Sequence, residues 1–177
     1  MKIAVFCVGN KLMLDDGIGP AVYDELSAYE FSSDVELFDV GCMSMDYLNA
    51  VQAFDLIITV DALDGTGGEP GTIFRFEPDD MAPRPFGAQS LHDLKLSDLF
   101  ETAKLLGYQA QGVCLGMQVD NAEPAELTVG LTPRVSEKLD DLVDCVLAEL
   151  VRAGQVVRFG ETGQQVTPGW HHASVSA

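Results

Sequence analysis

The amino-acid sequence predicts a layered α/β domain organised around a mostly parallel sheet. Short runs rich in β-branched and aromatic residues alternate with segments of helical period. Several of those runs are apolar nearly throughout, as strands covered on both faces are, where the alternation of a half-exposed sheet is lost. The length of 177 residues fits one domain, large enough to bury about 70% of its extended surface.

The first run, Lys2 to Val8, reads as a strand; its apolar part, Ile3 to Val8, is too short for an export signal. A helix is expected over Gly19 to Tyr29, a second strand over Val35 to Val40 and a second helix over Ser44 to Ala53. Strands follow at Leu56 to Asp61 and Thr72 to Phe76. Between Glu77 and Gln89, Pro78, Pro83, Pro85 and Gly87 predict a loop, and at that length a loop is functional or mobile. A helix over Ser90 to Leu106 and a strand over Gly112 to Met117 come next. The clearest helix is the last, where Val135, Leu139, Leu142, Val143, Val146, Leu147, Leu150 and Val151 share one face. Thr132 is placed to cap it, Pro133 suits its first position and Gly154 its end. Beyond Gly154 the pattern dissolves into Gly, Gln, Thr and Ser. The domain is therefore assigned to residues 1–154, and residues 155–177, with His171 and His172, to a flexible, solvated tail.

Twenty-eight Asp and Glu against 10 Lys and Arg give a formal charge of -18. Such a chain repels phosphate backbones and anionic headgroups, which sets nucleic-acid and membrane partners aside. No run approaches the roughly 18 apolar residues of a membrane span. Cys7, Cys42, Cys114 and Cys145 are scattered without a C-x-x-C pair, so neither a zinc knuckle nor a disulfide scaffold is expected. Reduced thiols and a cytoplasmic location follow.

In an open α/β sheet, ligands collect at the carboxyl ends of the strands. The residues just past the predicted strands are acidic: Asp15 and Asp16 in the stretch after the first, Asp61 and Asp64 at the third. His92 follows the proline-rich loop. Two carboxylates and an imidazole from separate loops suit a borderline metal such as nickel or zinc. The same residues have plainer readings. Asp15 or Asp16 is also suited to cap the next helix, Gly17 and Gly19 to supply positive φ or close backbone packing, and His92 to be a hydrogen-bonded structural histidine. Cys42, after Gly41, reads as a small buried hydrophobe and not as a thiolate nucleophile, because nothing near it is basic enough to lower its pKa. Cys7 and Cys114 read as core, and Met13, Met43, Met45 and Met117 as adaptable packing.

Spacing excludes two familiar sites and weakens a third. A dinucleotide fingerprint fails because Gly9-Asn10-Lys11 follows the first strand, and no lysine follows a glycine-rich turn as in a P-loop. A phosphate-accepting receiver domain, with Asp15-Asp16 as metal pair and Asp61 as acceptor, breaks twice. The acidic pair lies well beyond its strand, and Met117 is followed by Gln118-Val119-Asp120 with no lysine.

The ordered motifs resemble the hydrogenase maturation endopeptidases, which process the large subunit of nickel-iron hydrogenases. They are Val8-Gly9-Asn10, Leu14-Asp15-Asp16-Gly17-Ile18-Gly19-Pro20, Asp39-Val40-Gly41, Val60-Asp61-Ala62-Leu63-Asp64, Glu69-Pro70-Gly71-Thr72-Ile73, His92 and Leu115-Gly116-Met117-Gln118. The resemblance spans roughly residues 3 to 150. It implies a three-layer α/β/α sandwich around a five-stranded mixed, mostly parallel sheet, with Thr72 to Phe76 antiparallel near an edge. It also implies that Asp16, Asp61 and His92 contact metal and carry catalysis. Many relatives have Glu where this chain has Asp16; a subset that includes the formate-linked type shows Asp-Asp-Gly as here, so the chain looks most similar to that branch. Cys42 stands where relatives often carry small polar residues.

The function so implied is removal of a C-terminal extension from a large-subunit precursor already loaded with nickel. The nickel is supplied by the substrate, and another divalent metal can occupy the site in the isolated protein. Asp16, Asp61 and His92 would complete the nickel's coordination, with the metal acting as Lewis acid or as source of hydroxide. Asn10, Asp15, Gly41, Cys42 and Asp64 are expected to orient ligands or touch substrate, and Met81 and Phe86 to contact the precursor. The family is usually monomeric. Two other readings stay open on these residues: a non-catalytic nickel-sensing assembly chaperone using the same ligands, and, more weakly, an acidic receiver-like regulatory domain.

Overall fold

A computed structural model describes residues 1–42, 44–78 and 99–173. The five expected strands are present: β1 (Ile3–Val8), β3 (Val35–Gly41), β4 (Leu56–Leu63), β5 (Ile73–Phe76) and β6 (Gln111–Gln118). They form one sheet in the order β3-β1-β4-β6-β5. The β1-β3, β1-β4 and β4-β6 pairs are parallel. β5, at the edge, runs antiparallel to β6. All six residues of β1 are buried, as the unbroken apolar run requires of a central strand.

Side-chain alternation along the strands divides the core into two layers. Ile3, Val5, Cys7, Ile58, Val60 and Ala62 pack on one face with α1 (Ile18–Leu26) and the long C-terminal helix. Ala4, Phe6, Val8 and Ile57 pack on the other with Val51 of α2 (Leu48–Val51) and with Leu99 and Ala103 of α3, helical over 99–105. The architecture is the three-layer α/β/α sandwich with a five-stranded mixed sheet.

Several elements differ from expectation. α1 ends at Leu26 instead of Tyr29: the Ser27 hydroxyl donates to the Tyr23 carbonyl at 2.9 Å, and Tyr29 enters a new strand. The segment expected as a helix over Ser44 to Ala53 divides into a 3-10 turn, Ser44–Tyr47, and α2. Of the Glu77 to Gln89 loop and the helix expected from Ser90, residues 79–98 lie outside the described residues, with Met81, Phe86 and His92 among them. Met43 lies outside them too.

The last helix is two helices, α4 (Pro133–Ser136) and α5 (Leu139–Arg152), separated at Glu137-Lys138. Its apolar face is buried as the periodicity predicts, with Val135, Leu142, Val143, Val146 and Leu150 at 0% exposure. Thr132 sits at the N-terminal cap position but makes no capping bond with its side chain.

The assignment of residues 155–177 to a flexible tail is corrected over the described part of that stretch. Val157–Phe159 forms β7, antiparallel to β2 (Tyr29–Phe31), with Tyr29 opposite Phe159 and Phe31 opposite Val157. Val157 and Val166 are buried, and Trp170, in the short α6 (Trp170–Ala173), stacks on Phe159 with ring centroids 6.0 Å apart. His171 is likewise not a solvated tail residue. Its Nδ1 lies 2.7 Å from Asp144 Oδ1 and its Nε2 3.2 Å from the Tyr29 hydroxyl. Sparse apolar residues in a polar stretch hide this docking from any periodicity, because each is buried by a residue far away in the chain.

Candidate active site

The parallel register brings the sequence-predicted acids to one rim. β1 is flanked by β3 and β4, with Val8 beside Gly41 and Cys7 beside Val60. Asp61, the residue after Val60, therefore lies next to the place where β1 ends and its loop begins. The 3-10 turn Leu14–Gly17 returns over this end of the sheet and packs against β4. Asp16 and Asp61 are each only 5% exposed.

The loop between β1 and α1 is shaped by close backbone approaches. A Cβ on Gly9 would lie 1.9 Å from the Asp16 carbonyl oxygen, and one on Gly19 would lie 2.0 Å from that of Val8. Both positions therefore demand glycine, Gly19 through the close packing anticipated for it. Gly17 makes no such approach, and its φ is -76°. The positive φ expected of Gly17 or Gly19 falls instead on Gly9, at 136°, and on Leu14, at 51°, a conformation costing a β-carbon residue about 1–2 kcal/mol.

Asp16 does not cap the helix. Its Oδ2 accepts the Asn10 amide at 2.9 Å, and its carbonyl accepts the same amide at 3.2 Å, closing the loop on itself. Asn10 adds an Asx turn, its Oδ1 accepting the Leu12 amide at 3.0 Å. Asp61 Oδ1 accepts the amide of Ala62 at 2.8 Å. Lys11 spans the mouth of the loop, with Nζ 3.2 Å from Asp24 and 3.7 Å from Asp39; its hydrogen bond with Asp24 holds its pKa above the usual lysine value.

Asp15 is fully buried and is a hub, not a cap. Its Oδ2 accepts the amides of Asp120 at 3.1 Å and Asn121 at 2.9 Å and the Thr132 hydroxyl at 2.9 Å, while its Oδ1 accepts the Thr132 amide at 2.6 Å. It fixes the turn bearing Asp16 to the segment after β6 and to the start of α4. Nothing in the sequence marked Thr132 as its donor, because a Thr before Pro133 reads equally as a cap.

The remaining predicted residues are less central. Asp64 is exposed, its Oδ1 accepting the Gly65 amide at 2.7 Å. Gly41 has φ 55°, and Cys42, read as a buried hydrophobe, is only half-buried. Cys7 and Cys114 are core as expected, with burial pushing the Cys7 thiol far up. Met117 is fully buried.

Sequence reasoning placed Gln118 at the end of the Leu115-Gly116-Met117-Gln118 motif but gave it no role; it is 6% exposed and accepts from the Thr66 amide at 3.0 Å and from its hydroxyl. With the Gln118 carbonyl taking the Gly71 amide at 2.8 Å, this pins the loop after β4 to the rim. Only the side-chain packing identifies it.

Asp16 and Asp61 by themselves offer hard oxygen donors, and the imidazole that would turn such a set toward nickel or zinc is that of His92. Among the described residues, no group of three His, Cys, Asp or Glu side chains gathers in a ligating arrangement, and His92 lies outside them. No helix among the described residues is long and apolar enough to cross a membrane.

Comparisons with known proteins agree with this architecture. Residues 20–149 match the HycI family, described as hydrogenase maturation protease. The hydrogenase expression/formation protein HupD of Thiocapsa roseopersicina is 31% identical, over 98% of this chain and 79% of its own. The hydrogenase 2 maturation protease of Escherichia coli K12 is 28% identical, over 87% and 93%. The structure of the hydrogenase maturating endopeptidase HybD from E. coli superposes with a TM-score of 0.78 at 28% identity, covering 88% of this chain and 95% of that one. A shared sheet, the family match over most of the chain and full-length relatives lead to one conclusion: the chain belongs to the hydrogenase maturation protease family.

Proposed function

We propose that this protease acts in the cytoplasm, as a monomer, on the nickel-loaded precursor of a nickel-iron hydrogenase large subunit and removes its C-terminal extension. Asp16, Asp61 and His92 complete the coordination of the nickel that the substrate carries. The observation that carries this reading is the placement of Asp16 and Asp61, both nearly buried, at the rim where β1 ends beside β4. Burying ionised carboxylates is costly, and a divalent cation seated between them offsets that cost.

The substrate's nickel supplies Lewis acidity toward the scissile carbonyl or an attacking water. The chain's own residues do the positioning. Gripping the nickel anchors the peptide beside the attacking group, which lowers the entropic part of the barrier. Asn10 holds the Asp16 carboxylate through its amide, and Asp15 holds the turn beneath it. A precursor without nickel lacks the anchor, so cutting follows metal loading.

The test is incubation of purified protein with nickel-loaded and metal-free precursor, the product weighed by mass spectrometry. Loss of the extension from the loaded form alone is expected. Asp16→Ala and His92→Ala are expected to keep the far-UV spectrum and abolish processing. Full processing by either variant, or of the metal-free precursor, refutes the mechanism.

A further inference from the structure

The loop that carries Asp16 is stitched to a second segment, residues 120–132, whose exposed side chains include large apolar ones. The Thr128 amide donates to the Leu12 carbonyl at 2.8 Å, and the Thr128 carbonyl accepts the Leu14 amide at 2.8 Å. This parallel bridge pairs Met13 with Thr128, so Leu12 stands beside Leu127 and Leu14 beside Val129. Asp15 clamps the same segment near both ends, at Asp120-Asn121 and at Thr132. Yet Leu127 is 72% exposed, Val129 75% and Leu12 47%.

A fraying tip that exposes such residues needs no explanation, but this backbone is tied at Asp120-Asn121, at Thr128 and at Thr132. Ordered apolar surface held in water forgoes about 25 cal/mol for every Å² that a partner would cover. The segment is also acidic. Asp120, Glu123 and Glu126 lie on it, and no Lys or Arg occurs between Lys104 and Arg134.

We propose that Leu12, Leu127 and Val129 form the ledge on which the protein substrate docks. The occupant is an extended segment next to the scissile bond, bearing apolar side chains interspersed with Lys or Arg. This rests on the reading that the chain cuts a protein precursor beside Asp16. The ledge is continuous with the Asp16 loop, so a polypeptide laid along it leads to the turn that bears that carboxylate. The apolar residues supply affinity, and the carboxylates select a basic partner and speed its approach.

The test measures Kd, KM and kcat for the nickel-loaded precursor with wild type and with the double variant Leu127→Ser/Val129→Ser, whose sites are too exposed to support the core. Kd and KM are expected to rise about tenfold with kcat within about twofold. Leu127→Arg is expected to weaken binding more than Leu127→Glu, and Glu123→Gln/Glu126→Gln to flatten the salt dependence of association. An unchanged Kd in the double variant overturns the ledge, as does wild type failing to bind the precursor. So does a wild-type dimer that the double variant dissociates while precursor affinity is unaltered, which would make the ledge a contact between copies. Wild type that binds but does not cut refutes the proposed cleavage separately, and the Kd comparison still decides the docking.

Discussion

Removing the Asp15 carboxylate tests whether the candidate site is held from beneath. Asp15→Ala strands three backbone amides and one hydroxyl that donate to a fully buried acceptor at 2.6–3.1 Å. Hydrogen bonds to a charged group contribute about 1.5–3 kcal/mol each, and the losses are not additive, so the expected cost is about 3–5 kcal/mol. Asp15→Asn keeps the shape and one acceptor oxygen. Turned toward the three donors at Oδ2, that oxygen leaves only the Thr132 amide facing an NH₂, for a cost of about 1–3 kcal/mol. Urea unfolding followed by far-UV circular dichroism reads both. With a slope near 2 kcal/mol per M, the Ala variant's midpoint falls by about 1.5–2.5 M and the Asn variant's by roughly half that. An Ala variant as stable as wild type, or more stable than the Asn variant, refutes the hub.

Gly19→Ala drives a methyl group to 2.0 Å from the Val8 carbonyl oxygen and is expected to prevent accumulation of folded protein, whereas Gly41→Ala, with nothing within 4 Å but a φ of 55°, costs about 1 kcal/mol; soluble yield and unfolding midpoints separate the two. Burial alone would raise the Glu149 pKa, but hydrogen bonds from Arg75 and Arg152 outweigh it and hold the carboxyl below 4.5. Its contribution is therefore present above the unfolded-state value and lost as pH falls through the folded one. Glu149→Gln should be less stable than wild type at neutral pH, and the gap should close only as pH falls below the ordinary glutamate range in a pH series of unfolding curves. Truncation after Gly154 removes Val157 and Val166, both buried, and should cost about 3–6 kcal/mol by urea unfolding; an unchanged midpoint would show that the segment does not stabilise the domain.

The central strands were legible because a strand buried on both faces must be largely apolar: Ile3 to Val8 is so throughout, and Leu56 to Val60 is interrupted only by the β-branched Thr59. Asp61 was legible for the same reason: it is the first charged residue after a mostly apolar run, although β4 itself continues to Leu63. Periodicity also sufficed for the buried face of α5. It could not show the break at Glu137-Lys138, since two helices in line keep nearly the same phase.

What the tertiary structure alone decided was pairing. The order β3-β1-β4-β6-β5, the β2-β7 ribbon and the attachment of His171 to Asp144 join residues far apart in the chain, and no local pattern encodes a partner at that distance. Asp15 and Asp16 illustrate the division. Adjacent and chemically identical, they are told apart in the sequence by the family resemblance and by no local pattern, yet one is enclosed by four donors from distant segments and the other sits at the strand-end rim. Residue type supplies the chemistry, while the surroundings that long-range packing assembles determine whether a carboxylate braces the fold or faces a ligand.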